Sequence, residues 1–379
     1  MANSSAVIFL ATCLPIIFFL IRFVSFISTL NIENFDDFDF WVFSNSNLYM
    51  HMKSTTTGQL FSAEPKRPPI LNQQSYAKIS NVKGKTCSFP FVAVTTTIKS
   101  STKCITATAE HLPVIVVGDV SSLQWSPPKK VENNTIFLSI KLQNKLFPTF
   151  SSMLPTKSFA RKNIGYVYAV NKLNACIIYD FDDDNCPTNE TIALFKSISS
   201  KRMPKPELLL SISNRTNFIN PYILYGSEEF IWPRGFAFQE LGYKDYPIVN
   251  QIEPKESSSV EVIQIMQNID PDVDSIWRLL NAHKQLPMIW KSDEIFHTKI
   301  AALDKFKYSP FNAQSVLLTS LATSIGYMPF TVNSRVSDIW RSFIIQYFLH
   351  HINSKGNIAF TGHFVNHFRN SHNYLADYD

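Results

Sequence analysis

The order of apolar and polar positions divides the chain into three zones. Residues 6–30 are almost wholly apolar, with Arg22 the one charge among them. A run of this kind is long enough to cross a bilayer, which takes about 20 residues for about 30 Å, and predicts a transmembrane anchor over 1–30. A cleaved signal peptide is the rival reading, although residues 1–5 lack the positive charge expected of one. Residues 31–85 are polar and rich in Ser, Thr and Asn, with neither strand alternation nor a helical period. They predict a stem with little structure of its own, its aromatic residues at 35–43 packing on the membrane surface or on the folded domain. The third zone, 86–379, carries short β-branched runs interleaved with amphipathic stretches. Strands are predicted at 90–97, 112–119, 135–140 and 207–212, and in the apolar run that begins at Ala175. A helix is predicted over 158–172 with Ser158 as N-cap, a second through Leu280 and a third from Ser337 to about His351, with a loop-to-helix turn at 309–312. Strand, linker, strand, strand, helix, strand is the signature of a parallel α/β domain.

The run from Ala175 ends abruptly in four carboxylates, Asp180, Asp182, Asp183 and Asp184. In open α/β sheets ligands bind beyond the carboxyl ends of the strands. Alternate side chains at such a strand end can converge on one hard cation, Mn²⁺ or Mg²⁺, and the cation on a diphosphate. Asp180-Phe181-Asp182 is therefore a candidate metal site with Asp180, Asp182 and Asp183 as ligands, and a solvated acidic turn is the bland alternative. A phosphatase of the haloacid-dehalogenase type also places a D-x-D after an apolar strand, with the first Asp as nucleophile. It expects Thr or Val two residues after the second Asp, where this chain has Asp184.

Composition narrows the choice. The chain has 379 residues, a formal net charge of +5 and only 10 glycines, with neither G-x-G-x-x-G nor a P-loop. The Lys and Arg residues are scattered, which speaks against nucleic-acid binding. The five cysteines, Cys13, Cys87, Cys104, Cys176 and Cys186, show no C-x-x-C spacing. A Cys87–Cys104 disulfide is one possibility in an oxidising lumen, but pairing cannot be read from spacing. Asn133, Asn189 and Asn214 each open an N-x-[ST] triplet, a weak pointer to the secretory pathway.

A set of ordered blocks adds a family. Arg161-Lys162-Asn163-Ile164-Gly165-Tyr166 and Ile178-Tyr179-Asp180-Phe181-Asp182-Asp183-Asp184-Asn185 are followed by Asn214-Arg215-Thr216 and Phe230-Ile231-Trp232-Pro233-Arg234-Gly235. Then come Pro271-Asp272-Val273-Asp274, Tyr308-Ser309-Pro310-Phe311-Asn312-Ala313-Gln314, Ser334-Arg335-Val336-Ser337-Asp338-Ile339-Trp340-Arg341 and Arg369-Asn370-Ser371-His372-Asn373. In type and order these blocks resemble the STELLO family of glycosyltransferases over about 112–379. The resemblance implies a GT-A-like, Rossmann-like nucleotide-sugar domain with a mostly parallel central sheet. It also implies a single-pass type II Golgi membrane protein with a lumenal catalytic domain, a nucleoside-diphosphate sugar as donor, UDP-linked, and a glycan or protein acceptor. A glycosyltransferase-fold protein that binds a partner without catalysis is the alternative.

The roles implied by this resemblance can be set beside local physics. Asp119, after the second strand, contacts the nucleotide base or ribose, or else stabilises a turn. Arg161 and Lys162 reach phosphate, or else lie exposed on the surface. Arg234 binds diphosphate or fixes its loop. Asp338 is the base that deprotonates the acceptor hydroxyl, or the N-cap of its helix. Asp272 and Asp274 cap a helix or else contact a sugar, and His372 is structural. The Thr-rich stretch 98–110 departs from the family pattern and is a poor helix former, which puts the wall of the nucleotide pocket in question.

Overall fold

The structure, a computed structural model, describes residues 39–43, 49–53, 87, 89–97, 103–198, 202–212, 216–225, 230–241, 247–251, 259–281, 298–352 and 356–368. The chain divides into two units, Met1–Lys85 and Thr86–Asp379. In the first, β1 (Asp39–Phe43) and β2 (Tyr49–Lys53) form an antiparallel hairpin within the expected stem. The expected anchor at 1–30 and the structural role expected of His372 lie outside the described residues. Among the described residues, no helix is long and apolar enough to cross a membrane.

The second unit is built on an 11-stranded mixed sheet. Its first part is parallel: β3 (Phe89–Thr97) lies between β4 (Val114–Gly118) and β6 (Ala175–Phe181), and β5 (Thr135–Leu138) flanks β4. Beyond β6 the sheet is mixed. β12 (Ser315–Thr319) runs antiparallel between β6 and β10 (Ser259–Asn268), and β13 (Gly356–His367) runs parallel to β10. β11 (Ile300–Leu303), β8 (Leu208–Ser211) and β9 (Ile248–Gln251) complete that side, while β7 (Asn185–Pro187) pairs with the end of β13. The topology sends β3 to β6, β10 and β13 in one direction, so their carboxyl ends share one edge. β12 enters from that edge, with Ser315 opposite Phe181.

The helices cover both faces. They are α1 (Lys103–Ala109), α2 (Ile140–Leu146), α3 (Pro148–Met153), α4 (Lys162–Val167), α5 (Asn189–Ser197), α6 (Ser275–Leu280), α7 (Ser320–Ile325) and α8 (Ser334–Ile352). Period-two alternation sorts β6 between the faces. Ile177, Tyr179 and Phe181 join one buried core, with Phe91, Leu194 and Phe195. Asp180 and Asp182 share the opposite face. A second core beyond β6 gathers Val262, Val316, Leu318, Ile345 and Phe360.

Several sequence expectations need correction. The stretch expected as one helix over 158–172 is a 3-10 turn at Phe159–Arg161, then α4, then a π-helical turn at Tyr168–Lys172; Ser158 does cap it, accepting from the Ala160 amide. Residues 309–312 lead into strand β12 before helix α7 begins. A short apolar run such as 315–319 fits a buried strand as well as a helix. Helix α8 starts at Ser334, so Asp338 sits inside it and is not its N-cap. The Thr-rich stretch does form a helix, α1, whose Cys104, Ile105, Thr106, Thr108 and Ala109 are buried. Tertiary packing there outweighs weak propensity. The disulfides are Cys87–Cys176 and Cys104–Cys186, with Cα separations of 5.6 and 4.4 Å, in place of Cys87–Cys104. One ties the segment before β3 to β6, and the other ties α1 to β7.

Candidate functional site

At the end of β6, the Asp180 side chain has no exposed surface and that of Asp182 is 21% exposed. Helix α4 packs on this face. Its close approach to the sheet depends on Gly165, where a Cβ would lie 2.5 Å from a methyl of Val94 and 2.9 Å from one of Val117. Lys162 and Tyr166 stand one turn apart on α4, the spacing that puts two side chains on one face. The Lys162 ammonium lies 2.9 Å from Asp180 Oδ1 and 2.6 Å from Asp182 Oδ1, and donates to the Ala313 carbonyl at 2.9 Å. The Tyr166 hydroxyl donates to Asp180 Oδ2 at 2.7 Å, and the Arg341 guanidinium pairs with the same oxygen at 2.9 Å. Arg341 also donates to the Tyr166 hydroxyl at 2.9 Å.

Burial acts to lower the Lys162 pKa, but the two carboxylates outweigh it and hold it above the ordinary lysine value. Burial pushes Asp182 up to about 6, against the pull of Lys162. At Asp184 burial acts upward too, but the hydrogen bond and charge of His367, with Asn185, hold it below the usual carboxylate range. Asp184 and Asn185 shape the turn into β7: the Asn185 amide donates to the Asp182 carbonyl at 3.0 Å, and its side chain donates to Asp184 at 2.9 Å. Asp183 is half-buried in that turn.

A second charged cluster lies at the same edge. Gly235, with φ of +81°, closes a turn that aims Arg234 inward. The turn is pinned by the Pro233–Val273 bridge and by the Arg234 amide donating to the Asp272 carbonyl at 3.2 Å. The Arg234 guanidinium reaches both oxygens of Asp272, at 2.8–3.1 Å, and both oxygens of Asp338, at 3.0 and 2.8 Å. It also donates to the Arg335 carbonyl. Burial acts to lower the Arg234 pKa, but Asp272 and Asp338 drive it well above the ordinary value. Asp338 and Arg341 are three residues apart on α8, so one helix face serves both clusters.

The loop entering β12 joins them. The Ala313 carbonyl accepts from Lys162, while its amide donates to Asp338 Oδ2 at 3.2 Å. The Gln314 carbonyl accepts from the Asp182 amide at 3.1 Å, and the Asn312 side chain donates to Asp272 at 3.1 Å. Gln264 of β10 fixes the loop, accepting from the Asn312 amide at 2.8 Å and donating to the Ser315 carbonyl at 2.8 Å. A cavity of about 10 Å³ opens beside Arg234, Asp272 and Asn312. A wider concavity of about 560 Å³ lies along 120–126, after β4, and none of these charged groups line it.

The structure brings together Lys162, Asp180, Asp182, Arg234 and Asp338. It places Asp119 and Arg161 elsewhere. Asp119 is buried and caps the turn at Val120–Ser122, accepting from the Val120 amide at 2.6 Å and from the Ser158 amide at 3.2 Å. Arg161 is not on the surface: it is buried and donates to Gln143, Ser151 and the Leu154 carbonyl. Lys162 is buried as well, so neither cation faces solvent to meet a phosphate. Asp274 caps α6 by accepting from the Ile276 amide at 2.9 Å, whereas Asp272 pairs with Arg234. Tyr166, Arg341, Gln264 and Asn312 were not anticipated. Helical spacing from Lys162 and Asp338 was a signal for the first two; the others meet only through the sheet.

Mn²⁺ or Mg²⁺ does not fit this strand end as it is built. The Lys162 ammonium stands between the two carboxylates, and Asp180 has no outward face. Among the described residues, no three His, Cys, Asp or Glu side chains are grouped to hold a metal ion. Nor does Asp180 fit a phosphoryl-accepting nucleophile, because Lys162, Tyr166 and Arg341 surround it.

No known protein-family profile matches the chain. "Probable glycosyltransferase STELLO1" of Arabidopsis thaliana is 29% identical over 215 residues, which cover 55% of this chain and 27% of that relative. "Probable glycosyltransferase STELLO2" of the same plant is 28% identical over 213 residues, again 55% of this chain and 27% of the relative. The match thus spans much less than half the length of these curated relatives. Over 213–215 residues the chain is similar to these two STELLO proteins.

Proposed function

We propose that the 86–379 unit is a glycosyltransferase domain that moves a sugar from a nucleoside-diphosphate sugar, UDP-linked, to a hydroxyl of a glycan or protein acceptor. The observation that carries this reading is the paired charged clusters at the carboxyl edge of the sheet, in a chain similar to two proteins named as glycosyltransferases. Asp338 is the base: its side chain is 12% exposed and lies beside the most exposed cation of the two clusters, Arg234 at 23%. In this reading Arg234 releases Asp338, remains on Asp272 and turns its freed edge to the donor diphosphate. Asp338 then accepts the proton of the acceptor hydroxyl as the hydroxyl oxygen bonds to C1 of the sugar and the bond from C1 to the diphosphate breaks, the nucleoside diphosphate leaving. Calorimetry of the full chain against a panel of nucleotide sugars tests donor binding. A true donor raises stability by about 2.7 kcal/mol at a hundredfold excess over its dissociation constant, and a panel with no binder contradicts the reading.

Binding without catalysis is the second reading, and the narrow space at Arg234 favours it. A cavity of about 10 Å³ holds at most one water, so a sugar enters only if the Arg234 contacts open.

We also assign the domain to the lumen of the secretory pathway, on the Golgi membrane through an N-terminal helix. The two disulfides support an oxidising compartment. Exposed Asn133 and Asn189, each opening an N-x-[ST] triplet, suit glycosylation there. Tunicamycin-sensitive mobility shifts of the expressed chain check this assignment, and their absence at both positions counts against it.

A further inference from the structure

We propose that the Lys162 ammonium occupies the cation position of the Asp180-Phe181-Asp182 strand end, so that this D-x-D takes no divalent metal. Lys162 donates hydrogen bonds to Asp182 Oδ1 at 2.6 Å and the Ala313 carbonyl at 2.9 Å, and its ammonium forms an ion pair with Asp180 Oδ1 at 2.9 Å. A metal bound by both carboxylates needs oxygen distances of about 2.0–2.6 Å, and that space holds the ammonium. Charge is settled as well. Lys162 and Arg341 offset Asp180 and Asp182, so a divalent ion added here brings two uncompensated charges into a buried site. Nor is the remaining oxygen of Asp180 open, since Tyr166 and Arg341 hold it.

The placement follows from the sequence. Lys162 opens α4, the helix that packs across β3 and β4 at Gly165, and its side chain extends along the sheet to the end of β6. The Ala313 carbonyl is fixed by the loop that Gln264 holds. An internal cation of this kind is covalently part of the fold and cannot be removed by a chelator. Compensation of an incoming diphosphate then falls to a cation with exposed surface, and in these two clusters that is Arg234.

The test is a Mn²⁺ titration of the full chain followed by electron paramagnetic resonance, with no nucleotide present. The wild-type chain is expected to leave the free-Mn²⁺ signal undiminished up to millimolar metal, and Asp182→Asn to behave identically. Lys162→Ala vacates the cation position and is expected to gain one bound Mn²⁺, which the double variant Lys162→Ala/Asp182→Asn loses. Binding of one Mn²⁺ to the wild type, lost in Asp182→Asn, overturns the proposal. So does a folded Lys162→Ala chain that gains none. If Lys162→Ala does not fold, the comparison of wild type with Asp182→Asn decides alone. The result is independent of the donor reading, whose failure shows separately as no nucleotide sugar bound with or without chelator.

Discussion

The two charged clusters use the same chemistry at different depths. At the end of β6 the Lys162 and Asp180 side chains have no exposed surface and that of Asp182 is 21% exposed; around Arg234 the exposures are 23%, 4% and 12% for Arg234, Asp272 and Asp338. The first cluster spends its carboxylates on internal cations that have no exposed surface, and only Asp182 reaches solvent. The second leaves one edge of Arg234 and part of Asp338 toward solvent. An acidic motif at a strand end is therefore not the reactive centre by virtue of its position alone. What its neighbours already give it decides that, and in the proposed reading the centre lies across the Ala313 peptide, on α8.

Substitutions that unbalance each cluster sharpen the contrast. The largest effect is expected from Lys162→Met, which leaves two carboxylates without their ammonium. Removing one partner of a buried pair costs about 3–5 kcal/mol, measurable as a lower denaturant midpoint. Arg234→Ala removes charged hydrogen bonds at a partly solvated site and is expected to cost about 1–3 kcal/mol. Equal losses in the two variants would erase the distinction between a closed and an open cluster.

The smallest effect is one of pH. His363, hydrogen-bonded to Thr361 at 2.6 Å, has its pKa lowered by burial from 6.5. The unfolded state therefore takes up the proton first as pH falls. The contribution of His363 to stability is fully present above 6.5 and is lost as pH drops from there toward the folded value. His363→Gln is expected to flatten that slope in thermal melts across the mildly acidic range.

The sequence exposes some of this and hides the rest for physical reasons. β3 to β6 and β8 were legible because each is a short apolar run with polar flanks. β13 was not, since Asn357, Thr361 and His363 interrupt its pattern and its partners lie far away in sequence. The D-x-D was visible as a motif, yet its closure was not: that depends on Lys162, Tyr166 and Arg341 converging from two helices. Arg161 and Lys162 read as phosphate contacts or else a surface pair because cations are seldom fully buried, and here each is buried with polar partners. The disulfide pairing was decided by strand order, with β6 set beside β3.

The most direct measurement is sugar transfer or donor hydrolysis by the purified full chain, in wild type and Asp338→Asn, with the best-binding nucleotide sugar. The account predicts turnover in the wild type and a loss of about 10²–10⁴-fold in Asp338→Asn, with donor binding retained. Undiminished turnover in Asp338→Asn, or a wild type that binds donor and never turns it over, would contradict it.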